Sequence, residues 1–266
     1  GVAKVDVCIY EGKAGQGISF CDRRRFRLDP AACSRDNSGP IPERATPMTS
    51  NQKASDSSRT IIHLRVHSAY SLSEVAITPK ALAELAKRNE MPAVAVPDTG
   101  NLFGAMEFAG YAKDAGVQPI TGCLLGLARP DQDPHAIKQA PPDRLVLLAQ
   151  SEAGYRNLMK LSSKAFIESE PGTVPHVSLA DLADHATGLI ALTGGSAGQI
   201  GRLLGDGQAE AAAEALQSLA ALFPGRLYIE LMRHGTEIEE RIEPGLIDLA
   251  YRFDLPLVAT NDVYFS

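Results

Sequence analysis

The sequence predicts an α/β fold, in which helices surround a parallel sheet. From Thr60 onward, short apolar runs alternate with longer segments of helical periodicity. Such alternation is typical of a parallel sheet with helices packed outside it. Polar residues follow most of the apolar runs, and in these folds the carboxyl ends of the strands carry the functional site. About seven strands over roughly 200 residues suit a closed barrel or a doubly wound sheet.

The predicted strands are short runs rich in Val, Ile, Leu and Ala. The first is IIHLRVHS at 61–68, with β-branched residues at both faces, and the last is LPLVATND at 255–262. Near-continuous apolar character over such a length is typical of a strand buried on both faces. The other strands are predicted at 93–98, 119–128, 144–150, 188–194 and 226–232.

Helices are predicted in the segments between these runs. The first begins at Thr78-Pro79, because Thr is a favoured N-cap and Pro is tolerated in the first turn of a helix. Leu82, Leu85 and Ala86 then supply an apolar face. Further helices are predicted at 103–115, 152–166, 208–222 and 240–253.

Polar or glycine-rich segments follow the predicted strands and locate a cleft, although they do not specify a reaction. They are His67-Ser68, residues 98–101, residues 194–196, His234-Gly235 and Asn261-Asp262. The stretch GGSAGQIG at 194–201 fits either a phosphate cradle or a tight strand-to-helix turn that needs positive φ. Both interpretations stay open at this point, with the turn favoured.

Composition and charge narrow the function classes. With 44% hydrophobic and 22% charged residues, the chain has ordinary globular composition. No apolar run reaches the roughly 18–20 residues that span a bilayer. The net charge of −6 argues against a general polyanion binder.

The four cysteines include no C-x-x-C pair, and the six histidines form neither H-x-H nor H-E-x-x-H. Composition and spacing alone therefore predict no metal site, and scattered free thiols suit a reducing compartment.

Residues 1–58 differ from the rest of the chain. They are rich in Gly, Ser, Asp, Arg and Pro, without a sustained period, and we expect a disordered leader. Its arginine cluster, Arg23–Arg25 with Arg27, is interpreted as part of a solvated or mistranslated leader, with a basic arm that contacts nucleic acid as the less favoured alternative. Met48 is the expected natural start. We interpret the chain as a fragment whose domain, 59–266, is truncated at its C-terminal end.

Several motifs carry a family resemblance. They are HLRVHSAYSL, PDTGNLFGAMEF, GVQPITGC, LVLLAQSEAGYRNLMKLSSKAF and LVATNDVYF. In order and spacing the chain resembles the PHP domain, in the form found at the N-terminus of the bacterial DNA polymerase III alpha subunit. The resemblance covers about 61–265 and implies a distorted parallel (β/α)7-type barrel, the PHP fold.

The resemblance also implies a metal cluster at the strand ends, from which this chain departs. Ligand positions are lost at Arg65, Thr99, Leu124, Arg144, Gly195 and Tyr264. The candidate metal ligands that remain are His67, Glu74 and Asp262. A guanidinium offers no lone pair to a metal. We therefore expect a vestigial site that is weak or empty, with Arg65 and Arg144 paired to Glu74 and Asp262. His63 and His234 are expected to pack rather than to bind a metal.

The function implied by the resemblance is that of a module of a cytoplasmic, replicative DNA-directed DNA polymerase. Nucleotide transfer, with Mg²⁺ as cofactor, would belong to the parent protein, whose palm lies outside this chain. The fragment itself is expected to be inactive and to bind no cofactor. It would dock the proofreading exonuclease subunit within the polymerase III holoenzyme, with DNA bound by other regions and no membrane contact. The alternatives are a metal-dependent PHP-type phosphoesterase and, less favoured, an unrelated sugar-phosphate barrel enzyme.

Overall fold

The computed structural model describes residues 62–130, 140–170 and 172–264, together with three two-residue strands nearer the N-terminus. These strands are β1 (Ile9–Tyr10), β2 (Phe20–Cys21) and β3 (Arg25–Phe26). The chain divides into two units, one of Gly1–Tyr10 with Thr60–Ser266 and the other of Glu11–Arg59. Within the second unit, β2 pairs antiparallel with β3. The predicted disorder of the leader otherwise concerns residues outside those described.

The larger unit alternates strands and helices, as the sequence predicts. Besides β1, its strands are β4 (Ala93–Thr99), β5 (Gln118–Leu127), β6 (Asp143–Ala149), β7 (His176–Val177), β8 (Leu189–Leu192), β9 (Leu227–Leu231) and β10 (Leu257–Ala259). Its helices are α1 (Pro79–Arg88), α2 (Ala105–Ala115), α3 (Glu152–Glu168), α4 (Leu179–His185), α5 (Gln199–Gly205), α6 (Ala209–Leu222) and α7 (Glu237–Arg252). The predicted α/β class is confirmed. No helix among the described residues has the length and apolar character needed to cross a membrane.

The sheet runs in the order β1-β10-β9-β8-β6-β5-β4, with β7 beside β5. The pairs β10–β9, β9–β8 and β5–β4 are parallel. Strand β6, however, is antiparallel to both β5 and β8, so the expected fully parallel arrangement is wrong at this strand. A parallel neighbour needs a crossover of a dozen or more residues, usually a helix. The sequence shows no helical pattern between β5 and β6.

The predicted first strand at 61–68 forms only two isolated bridges, His63 to Val94 and Val66 to Val263. The Val66 amide donates to the carbonyl of Ala95 on one side, and the Val263 amide donates to the carbonyl of Arg65 on the other. One bridge on each side is too little for a regular ladder. The segment nevertheless joins β4 to the residues beyond β10, and so connects the two ends of the sheet.

Local sequence signals explain the helix boundaries. Thr78 caps α1, where its Oγ1 accepts from the Ala81 amide at 3.3 Å, and Pro79 is the first helical residue, as predicted. Helix α4, which the sequence reading missed, begins with a capping box formed by Ser178 and Asp181.

The glycine-rich segment before α5 is a tight turn. Gly194 has φ of +83° and Gly195 has φ of +59°. A Cβ at Gly194 would lie 2.1 Å from the Arg144 carbonyl oxygen, so no side chain fits there. The favoured turn interpretation is therefore confirmed.

Candidate functional site

The carboxyl-end edge of the sheet holds a buried ionic cluster centred on Arg65. The side chain of Arg65 is 1% exposed. Its Nε donates to Asp262 Oδ1 at 2.9 Å, and its Nη1 lies 3.4 Å from Glu230 Oε2. The expected pairing of Arg65 with a carboxylate of the former metal site is thus present, and Asp262 is that carboxylate. Burial alone would lower the pKa of Arg65, but the charges of Glu230 and Asp262 outweigh it and raise that pKa, so the guanidinium stays charged.

Glu230 is a functional candidate that sequence reasoning missed. It lies on β9 and is fully buried. Its carboxylate also accepts from the Gly194 amide at 2.6 Å and from Thr260 Oγ1 at 2.8 Å. A fully buried Glu is rare unless it is paired. A lone Glu within the apolar run LYIELM was therefore the signal that a buried cation lay nearby.

Asp262 follows β10 and joins Arg65 to two aromatic rings. His67 Nε2 lies 2.7 Å from its Oδ1, and the Tyr264 hydroxyl donates to its Oδ2 at 3.0 Å. The rings of His67 and Tyr264 stack at 4.8 Å. Burial alone would raise the pKa of Asp262, but the hydrogen bond from His67 and the charge of Arg65 outweigh it and hold the pKa at about 2. The carboxylate is therefore ionised at neutral pH.

Ser71, His67 and Asp262 form a line that resembles a nucleophile–base–acid arrangement. Ser71 Oγ lies 3.4 Å from His67 Nδ1. Its hydroxyl donates instead to Asp98 Oδ1 at 2.7 Å, and the side chain is completely buried. A nucleophile needs access to substrate and a base that takes its proton. Neither condition holds here, so the arrangement is structural.

The carboxylate of Asp98, at the end of β4, has its hydrogen-bond partners within the 68–71 turn. Its carboxylate accepts from the Ser68 amide, the Ser68 hydroxyl and the Ser71 hydroxyl, each at 2.7 Å. The sequence reading placed Asp98 among the polar strand-end residues but gave it no partner. Donors from the 68–71 turn explain its burial.

The predicted pairing of Arg144 with Glu74 or Asp262 is wrong. Among the described residues, neither carboxylate forms an ion pair with Arg144. Glu74 instead accepts from Thr99 Oγ1 at 2.7 Å. Arg144 is partly buried on β6 and lies near Tyr264. Burial is the largest cause that raises the pKa of Tyr264, and the positive charge of Arg144 opposes it.

The remaining predicted positions have ordinary structural surroundings. Leu124 is buried in the core of the sheet. Gly195 packs against Met232 in the glycine turn. His234 donates through Nδ1 to Glu239 Oε1 at 2.7 Å, and its Nε2 accepts from the Asp262 amide at 3.3 Å. His234 therefore supports the segment that carries Asp262.

The candidate metal ligands are only partly brought together. His67 and Asp262 are in contact, whereas Glu74 bonds to Thr99. Within the part of the chain that the structure describes, no group of three or more His, Cys, Asp or Glu side chains is arranged to hold a metal ion.

Comparison with known proteins identifies what this chain resembles. The family model for the PHP domain matches residues 63–234. DNA polymerase III subunit alpha of Caulobacter vibrioides is 46% identical over 205 residues, which are 77% of this chain and 18% of that protein. The Treponema pallidum subunit is 41% identical over 211 residues, 78% of this chain and 18% of that protein. The chain thus spans less than a fifth of the length of these relatives.

A solved structure with a similar backbone fold is that of an amidohydrolase from Chromobacterium violaceum, determined with bound sulfate and no metal. It has a TM-score of 0.48 and 15% identity, over 76% of this chain and 87% of that one. Likeness at this level carries no argument about chemistry.

Proposed function

The chain belongs to the PHP domain family, and from that premise we propose that it is a non-hydrolytic module of a replicative DNA polymerase. Its relatives are DNA polymerase III alpha subunits, of which it matches less than one fifth. The proposal assigns DNA-directed nucleotide transfer, with Mg²⁺, to regions outside this chain. The module would work in the cytoplasm as part of the polymerase III holoenzyme.

The observation that carries the proposal is the position of the Arg65 guanidinium. It lies between the carboxylates of Glu230 and Asp262, which are the oxygen donors that a cation would need there. The remaining lone pairs of these carboxylates face Gly194, Thr260, His67 and Tyr264. A metal would have to displace a buried, ion-paired arginine.

The electrostatic repulsion between a bound metal ion and the Arg65 guanidinium would be large. A divalent cation about 4 Å from a guanidinium is repelled by about 8 kcal/mol at an effective dielectric constant of about 20. His67, Glu74 and Asp262 would therefore be vestigial ligands with weak metal affinity. Because a hydrolytic metal must be fully ligated and open to water, the donor set fits such a metal poorly.

The same chain could serve as a docking platform for the proofreading exonuclease subunit. The net charge of −6 disfavours DNA binding by this chain, because nonspecific DNA binding depends on Lys and Arg contacts with phosphates. A protein partner needs only a patch of apolar anchors with a polar rim. DNA would be held by other parts of the parent protein.

The test combines metal analysis with binding. Purified chain equilibrated with Zn²⁺ or Mn²⁺ should retain substoichiometric metal by elemental analysis and should not hydrolyse p-nitrophenyl phosphate. Titration calorimetry should show binding to the exonuclease subunit with micromolar or tighter affinity. Duplex DNA should bind weakly at about 0.15 M salt.

Several tightly held metals together with hydrolysis would instead support the alternative, a PHP-type phosphoesterase. Absence of exonuclease binding, with tight and steeply salt-sensitive DNA binding, would reject the docking role.

A further inference from the structure

The segment 62–67, called the junction below, is joined to β4 by few contacts. One bridge links His63 to Val94. The Ala95 amide donates to the His63 carbonyl at 2.8 Å, and the Val66 amide donates to the Ala95 carbonyl at 3.3 Å. Segments held by few backbone hydrogen bonds open locally at a lower free energy than the rest of a fold. The junction is therefore the place where we expect the sheet to open first.

His63 brings a titratable ring into this weakly held segment. The residue is partly buried, and the neighbouring Ile62 and Leu64 pack in the apolar core of the sheet. Its bridge partner Val94 is buried in a second apolar cluster, which is shared with α1 and α2. Within the described residues, no hydrogen bond of the His63 ring is found. Burial accordingly lowers the pKa of the imidazole below its ordinary value.

The carboxylates of the sheet lie at its carboxyl-end edge, away from the bridge between His63 and Val94. Val94 is the second residue of β4, and Asp98 is four residues further along, which is about 13 Å at the usual rise per residue. Arg65 and Arg144 of the same edge carry the same sign of charge as a protonated imidazole. The carboxylates of this edge, each bonded to a group other than His63, are Glu74, Asp98, Asp143, Glu230 and Asp262.

The two helices that share a core cluster with the junction expose their charges to water. Helix α1 and the turn after it carry Lys80, Glu84, Lys87, Arg88 and Glu90, and all five are exposed. The charged residues of α2, also exposed, are Glu107, Lys113 and Asp114. Water and salt screen such charges, so they stabilise a buried cation little. A proton on the His63 ring would therefore create a partly buried cation without a close counter-charge, which is unfavourable in the closed junction.

We propose that the junction is a pH-sensitive switch, in which neutral His63 keeps the segment on β4 and protonated His63 releases it. The opened junction binds the proton more readily than the closed one, because burial holds the pKa of His63 low in the fold. The closed junction is thus most stable above about pH 6.5, and its stability falls as the pH decreases below that value. This inference goes beyond the proposed function and does not depend on it.

The ion pair at the other end of the junction keeps its charges over the same pH range. The pKa of Asp262 is about 2 and that of Arg65 is raised above its ordinary value, so both groups stay charged between about pH 5 and pH 8. Opening on acidification is therefore expected to begin at the His63 end. The Ala95 amide reports that end directly, because it donates to the His63 carbonyl.

The experiment is native-state hydrogen exchange of the full 266-residue chain, followed by NMR between about pH 7.5 and pH 5.5. After correction for the intrinsic exchange rate at each pH, the opening constant at the Ala95 amide should rise severalfold. The upper limit is about tenfold, which is the proton-binding gain of a solvated imidazole one pH unit below its ordinary pKa. The amides of β5 and β6 should show less than about a twofold rise.

The variant His63→Leu should show no rise at Ala95, whereas the matched control His185→Gln on α4 should keep the rise of the parent chain. A rise that persists in His63→Leu would assign it to another group, such as His67, and would overturn the inference. An equal rise at β5 and β6 would mean global unfolding and would overturn it too. If His63→Leu does not fold, NMR titration of the His63 ring in the parent chain decides. A midpoint below the ordinary 6.5 supports the switch, and a midpoint at or above it rejects the switch.

Discussion

Two cation-centred clusters in the same molecule stand in opposite environments. The buried cluster consists of Arg65, Glu230 and Asp262, and the surface cluster consists of Lys164, Glu168 and Asp181. In each, one cation bridges two carboxylates. The Arg65 side chain is 1% exposed, whereas Lys164 is 32% exposed. The two clusters therefore need not contribute equally to the stability of the fold. When one partner of an ion pair is removed, water can solvate the remaining charge at the surface but not in the interior.

The largest expected effect comes from removing the buried cation. Arg65→Met should lower the free energy of unfolding by about 3–5 kcal/mol, since it leaves buried carboxylates without their counter-charge. Denaturant unfolding followed by circular dichroism measures the change. The matched comparison is Lys164→Met. Equal stability of the two variants would show that burial does not separate the clusters.

A double variant sharpens this result. Combining Arg65→Met with Glu230→Gln removes both charges of one pair. The double variant should be more stable than the sum of the single effects predicts, because each single change leaves an uncompensated charge. Additive effects would mean that the two side chains act independently.

Sequence analysis predicted one half of the buried cluster and missed the other. Arg65 and Asp262 were both expected in an ionic cluster of two arginines and two carboxylates, because the family resemblance places both at former metal-ligand positions. Glu230 was missed because it points inward from the middle of an apolar run, and no periodicity indicates where its partner lies. The expected pairing of Arg144 was wrong although antiparallel β6 places it near the carboxyl end of β5, because Glu74 bonds to Thr99 and Asp262 pairs with Arg65.

A smaller effect is expected on acidification. The pKa of Asp262 in the fold is about 2, below its ordinary 3.8. A depressed carboxylate pKa stabilises the fold above the unfolded-state value, and this contribution is lost as the pH falls from about 4 towards 2. The stability difference between the parent chain and Asp262→Asn should therefore shrink over this range. A constant difference in urea titrations at each pH would contradict the assignment.

The smallest effect should follow Lys164→Met. The melting temperature should shift by about 2 °C or less, because a partly exposed pair contributes little. The pKa of Asp181, now about 2, should rise towards its ordinary 3.8 when the Lys164 hydrogen bond is lost. Its bonds from Ser178 would keep it below that value. NMR titration of the side-chain carboxyl carbon measures the Asp181 pKa directly. An unchanged pKa would show that Lys164 does not lower it.

The segment 62–67 that joins the two ends of the sheet has a kinetic consequence. Arg65 and Asp262 are separated by 197 positions, and their contact belongs to that junction. Loop-closure entropy must be overcome before so distant a contact forms, and folds dominated by distant contacts fold slowly. On a ribosome, the side of segment 62–67 that faces away from β4 would stay unpaired until Val263 emerges. The junction is therefore expected to form late, and hydrogen exchange during refolding should protect the His67 and Val263 amides after those of β5 and β6.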